Sequence, residues 1–178
     1  MSAWRGFTIL LGILAPIILN GATQAATRNT GLRVIDGDTL AIDGDRFRLS
    51  GIDAPESKQT CAQGQALWLC GRAATEALRM KVKDGDVHCV IHGQDRYGRG
   101  IATCYLNDGT DLNGWMVENG WAMAYRQYAK TYVAAEALAK ASQRGIWESE
   151  ISPPWIWRAT QRRAAADRKA DLLKKTRL

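Results

Sequence analysis

An α+β fold, mainly β, is the architecture this sequence predicts, with five strands forming a small barrel packed against three helices. Three observations carry that prediction. Two dipeptides that favour tight turns, Asp36-Gly37 and Asp43-Gly44, lie close together. Short alternating runs with strand character flank them. A helical period then interrupts the strands before two more strand-like runs. The length of 178 residues suits one domain with a leader and a tail, and shares of 46% apolar and 24% charged residues exclude a globally disordered chain.

The chain opens on a targeting pattern. Arg5 supplies a positive start, Phe7 to Leu19 is an almost unbroken apolar run, and Thr23-Gln24-Ala25 offers the small residues a signal peptidase reads. The run is shorter than the ~20 residues that span a bilayer comfortably. The expectation is a signal peptide over 1–25 and a secreted or periplasmic protein, with membrane attachment only if the segment stays uncleaved.

The strands come next. Leu32 to Ile35, Thr39 to Ile42 and Arg46 to Ile52 read as a three-stranded meander. In the third run Phe47 and Leu49 share one face and Arg46, Arg48 and Ser50 the other. With Phe47 and Leu49 on the core, Arg48 points outward, and the meander brings Asp38 near Asp53. From Cys70 to Val82 the period turns helical through Ala74, Ala77, Leu78 and Lys81. Val87 to Ile91 and Gly100 to Tyr105 are two further strands. Asp111 reads as the N-cap of a second helix that stops at Asn119-Gly120. A third helix is expected from Thr131 to Gly145, burying Val133, Ala137, Leu138 and Ala141. Pro153-Pro154 forbids its continuation. Five strands in a meander interrupted by a helix fit a closed barrel of the oligonucleotide-binding type.

Four cysteines behind an export signal suggest disulfides, and four allow three connectivities. Cys89 and Cys104 are equidistant from the Arg96-Tyr97-Gly98 turn, so an ungapped hairpin sets them opposite each other. That favours Cys61–Cys70 with Cys89–Cys104. A zinc site from His88, Cys89, His92 and Cys104 competes poorly, because on a strand both histidines face away from Cys89.

Three fragments, DGDT (36–39), FRLSGIDAPE (47–56) and DRYGRG (95–100), together resemble the staphylococcal nuclease family over about Leu32 to Trp147. The resemblance implies a nuclease on an oligonucleotide-binding barrel over 26–152, with a Pro/Trp linker and basic tail over 153–178. It implies that Asp38, Asp53 and the carbonyl of Ala54 hold Ca2+, and that Arg48, Glu56 and Arg99 are catalytic. It places Arg96, Tyr97 and Tyr125 near the substrate nucleotide. It also implies scission of the P–O5′ bond, leaving 3′-phosphates. Family members commonly carry threonine at the place of Ala54, a change that a carbonyl ligand survives. The loop between Cys61 and Cys70 departs from the family prototype.

The chemistry is coherent without the family. Two carboxylates and a carbonyl suit a hard cation that takes six to eight oxygens. Glu56 lies three residues past Asp53, within reach of a neighbouring water as general base. Guanidinium groups grip phosphate oxygens bidentately. The partner is therefore nucleic acid, DNA and/or RNA, and no stable protein partner is predicted. The competing reading is a non-catalytic barrel that binds single strands. The net charge of +6 does not decide between them, because it sits in the tail. From Arg158 to Leu178 there are eight Lys/Arg and two Asp/Glu, which leaves the first 157 residues neutral. That tail is expected as a solvated terminus or a marginal helix, with phosphate contact as the functional alternative.

Overall fold

Two turns decide how the first strands are laid down. In the computed structural model, which describes residues 31–176, β1 (Arg33–Asp36) and β2 (Thr39–Ile42) pair antiparallel across Gly37-Asp38. The Asp36 carboxylate accepts the Asp38 N–H at 3.1 Å and holds that turn. β3 (Asp45–Leu49) folds back on β2 through Asp43-Gly44, whose φ angles of 51° and 97° are those of a tight hairpin. The leader expected over 1–25 lies outside the described residues.

The expected third strand is broken in two. The chain turns at Ser50-Gly51, where Gly51 takes a φ of 74°, and resumes as β4 (Ile52–Asp53). A short hairpin follows where a loop was expected, β5 (Cys61–Gln63) and β6 (Ala66–Trp68). α1 (Cys70–Val82) is where its period placed it and buries Ala74, Leu78 and Val82. β7 (Val87–Gln94) and β8 (Gly100–Leu106) form the long hairpin, with Cys89 opposite Cys104 in the register. Both expected disulfides, Cys61–Cys70 and Cys89–Cys104, are present. His88 and His92 are exposed on this hairpin, against Tyr105 and Thr103.

α2 (Leu112–Glu118) begins as predicted, the Asp111 side chain accepting the Gly114 N–H. β9 (Met123–Ala124) pairs antiparallel with β4, Asp53 opposite Met123. α3 (Val133–Ala141) is shorter than expected and turned to another face. It buries Glu136 and Ala139, whereas Leu138 is 67% exposed and Ala137 and Ala141 also face solvent. The reason is polar: Glu136 accepts the Ala124 N–H at 3.1 Å and pairs with Arg126, so the carboxylate, and not the apolar stripe, faces inward. A 3-10 turn (Gly145–Glu148) leads to α4 (Pro154–Thr176), a fourth helix where three were expected. Proline at its first position is compatible with helix initiation, since the N–H it lacks has no helical partner there.

Strand order in the main sheet is β1-β2-β3-β8-β7. This corrects the simple meander, because β8 lies parallel to β3 and β7 is placed outside it. A parallel neighbour requires a long crossover, here the chain through β5, β6, α1 and β7. β1 and β7 are the sheet edges, and no strand pairing among the described residues closes them into a barrel. Leu40, Leu49, Ile52, Leu78, Leu112 and Met116 fill the core between this sheet and the helices. Buried Asn113 fastens α2 to the sheet, donating to the Ser50 and Ala102 carbonyls and accepting the Cys104 N–H. A second cluster, built on the Cys61–Cys70 disulfide, Met123 and Ile146, takes in Trp68, Trp147 and Trp155. Among the described residues no helix is long and apolar enough to cross a membrane.

Candidate active site

Asp38 sits in the β1–β2 turn, and its position is fixed from both sides. Its carbonyl accepts the Leu49 N–H at 2.8 Å, while its Oδ2 accepts the Ala54 N–H at 2.8 Å. The side chain is almost wholly buried, and Asp53, at the end of β4, is completely so. Arg48, on the outward face of β3 as its alternation predicted, joins the two. Its Nη1 bonds Asp38 Oδ1 at close range and its Nη2 donates to Asp53 Oδ1 at 2.6 Å. One guanidinium thus spans two carboxylates that arrive from different strands.

Burial raises the Asp38 carboxyl to about 7 against the pull of Arg48, with Asp36 and Asp53 adding to the rise. Burial also works against the charge on Arg48, but Asp38 and Asp53 outweigh it and keep the guanidinium protonated. The side-chain acceptors gathered here are carboxylate oxygens, the donor type that a hard cation takes. Among the described residues no three His, Cys, Asp or Glu side chains form a metal cage unaided.

Glu56 opens a turn that buried Gln59 closes, the Gln59 N–H donating to the Glu56 carbonyl at 2.7 Å. The Gln59 side chain accepts the Glu56 N–H at 3.3 Å, donates to the Ser152 carbonyl at 2.6 Å, and its own carbonyl accepts the Gly71 N–H. Gly71, in the first turn of α1, packs directly against this turn. A Cβ there would lie 1.7 Å from the Glu56 carbonyl oxygen, so only glycine fits.

The structure brings Asp38, Arg48, Asp53, Ala54 and Glu56 together. Arg99 makes its own pairing: it bonds Asp95 at 2.7 Å within the β7–β8 turn and lies 5.6 Å from the Tyr97 ring centre. Arg96 and Tyr97 share that turn, bonded to each other at 2.7 Å, with Tyr97 largely exposed. Tyr125 follows β9 and stacks on Trp155 of α4, the rings 5.3 Å apart and 5° from parallel.

The residue that sequence reasoning missed is Arg158. It projects from the first turns of α4 and grips Asp53 with both terminal nitrogens, at 3.0 Å to Oδ1 and 2.7 Å to Oδ2. Its Nη1 also donates to Glu56 Oε1 at 2.8 Å. Burial opposes its charge, but the bonds and charges of Asp53 and Glu56 hold Arg158 more firmly protonated than a free arginine. Pro153-Pro154 was read as the stop of the preceding helix and the tail as a solvated terminus or marginal helix, and no local signal pairs this arginine with carboxylates so far back in the chain.

A family model described as staphylococcal nuclease homologue matches residues 46–149. The match takes in Arg48, Asp53, Glu56 and Arg99 and leaves out Asp38 and α4. The chain is 36% identical over 142 residues to the succinoglycan biosynthesis protein ExoI of Rhizobium meliloti (strain 1021), covering 78% of this chain and 74% of that protein. It is also 36% identical over 134 residues to an uncharacterized endonuclease of Escherichia coli O157:H7, covering 71% and 82%. Against the micrococcal nuclease of Shigella flexneri it is 31% identical over 165 residues, covering 83% and 90%.

Proposed function

Because this chain belongs to the staphylococcal nuclease family, we propose that it is a calcium-dependent nuclease that works outside the cytoplasm, hydrolysing phosphodiester bonds of DNA and/or RNA to leave 3′-phosphates. The observation that carries this reading is Arg48 bridging buried Asp38 and Asp53, with Glu56 in the adjoining turn. The strand order β1-β2-β3-β8-β7 supports the oligonucleotide-binding architecture, whose barrel is partly open. Both disulfides support an oxidising compartment.

Asp38, Asp53 and the carbonyl of Ala54 would hold Ca2+. When bound, the cation supplies positive charge beside the scissile phosphate and eases ionisation of a neighbouring water. Glu56 takes the proton of the attacking water as its oxygen bonds phosphorus. The P–O5′ bond breaks, and the departing O5′ is protonated from solvent. Arg48 has five N–H donors and spends two of them on Asp38 and Asp53, so it keeps donors for a phosphate oxygen. Arg99 leaves Asp95 to give a second guanidinium, stabilising the charge that builds on the five-coordinate phosphorus. Arg96, Tyr97 and Tyr125 line the approach of the nucleotide.

Hydrolysis of single-stranded DNA, duplex DNA and RNA by the oxidised protein, with calcium, with chelator and with Glu56→Gln, tests the proposal. Calcium-dependent cutting that Glu56→Gln lowers by about two to three decades is expected. A folded, calcium-supplied protein that binds oligonucleotides without cutting them would replace the nuclease with a binding module.

A further inference from the structure

Arg158 comes from outside the segment that the family model matches, yet it occupies the centre of the site. Its guanidinium places positive charge between Asp53, the deeper carboxylate, and Glu56, the nearest candidate base. It takes both oxygens of Asp53 and one of Glu56. A divalent cation needs some of the same lone pairs, and two positive charges on one carboxylate repel. We propose that Arg158 is a positioning residue that competes with calcium for Asp53 and so sets the calcium affinity of the site. The proposal rests on the calcium-dependent reading above.

Three contacts show that this is a built arrangement rather than a chance meeting of a tail with a charged surface. The Glu150 backbone exchanges two hydrogen bonds with Ala62 of β5, at 3.0 and 2.7 Å. Buried Gln59 holds the Ser152 carbonyl, and Trp155 stacks on Tyr125. Each of these anchors, Glu150, Ser152 and Trp155, lies shortly before Arg158 in the chain. The start of α4 is therefore seated on the same turn that presents Glu56. Arg158 reaches its carboxylates with little chain entropy left to lose.

In this arrangement the arginine keeps Asp53 and Glu56 oriented, and calcium gains Asp53 only as Arg158 lets go. A phosphate oxygen arriving with the substrate offers the released guanidinium another anion. If the contact occupies Asp53 in about nine molecules of ten, the apparent calcium affinity falls about tenfold.

Calcium binding to the oxidised full chain, measured by titration calorimetry in the absence of nucleic acid, tests this. Arg158→Gln is expected to bind calcium about tenfold more tightly than the unaltered protein. Arg158→Lys keeps a single charge but not the two-pronged grip, and is expected to bind about threefold more tightly. Should Arg158→Gln not fold, the lysine variant decides alone. Equal or weaker calcium binding by the substituted proteins overturns the competition while leaving the nuclease reading intact. Absence of calcium binding in every protein overturns both.

Discussion

Arg48 makes two bonds that lysine cannot make together, one to Asp38 and one to Asp53. An ammonium group is a point charge, whereas the guanidinium is a planar fork with fixed spacing. Arg48→Lys is therefore expected to lower kcat by about two decades at saturating calcium, with far less effect on folding. Arg48→Ala leaves buried Asp38 without its charged partner, and about 3 kcal/mol of stability should go with it. Kinetics of the first variant and denaturant melts of the second check these outcomes. At this scale the site was largely legible. Asp38, Arg48, Asp53 and Glu56 lie in one run of sequence, and the alternation of β3 puts Arg48 on its outer face. Arg99 was read from its motif alone, and the motif gave no sign that Asp95, four residues before it, would pair with it. Arg158 was illegible because pairing across 105 positions depends on tertiary packing.

Elements position these residues, and their errors of reading have physical causes. β3 and β4 read as one strand because apolar residues on both sides of Ser50-Gly51 outweighed that turn dipeptide, and the break there lets Asp53 pair beside β9. α3 was assigned its inward face by hydrophobicity, while the buried Glu136 carboxylate overrides that stripe. Glu136→Leu strands the Ala124 N–H and should cost about 2 kcal/mol, read as a lowered midpoint in urea. The packing of α1 on the Glu56 turn is tighter still. Gly71→Ala puts a methyl group into the Glu56 carbonyl, so the turn must move. Cutting is expected to fall by roughly tenfold or more even if the variant melts within a few degrees of the parent.

Across the whole molecule, charge and site are separated until α4 joins them. The residues before Arg158 are neutral as a set, and the net +6 lies from Arg158 onward. That composition was visible in the sequence, but the docking of its first turn against the carboxylates was not. Arg162 and Lys169 share the helical face of Arg158 by their spacing of four and eleven residues. A chain ending at Pro153 should show a shallower dependence of DNA binding on salt, by about one unit of log–log slope for each phosphate that α4 would otherwise neutralise. Titration of a labelled oligonucleotide at several salt concentrations measures it, and an unchanged slope would confine the role of α4 to its first turns.

A nuclease endangers the cell that makes it. The turn that presents Glu56 leans on α1, and α1 begins at Cys70, which is bonded to Cys61. Cytosolic thiols are kept reduced, so a chain held under such conditions would lack the bond that closes this loop. Its seat for Glu56 is then loose, and treatment of the finished protein with a thiol reductant should lower cutting by roughly tenfold or more. If the protein cuts nucleic acid as proposed, the bond that braces the Glu56 turn would act as a safety catch, setting the blade only where oxidation is possible.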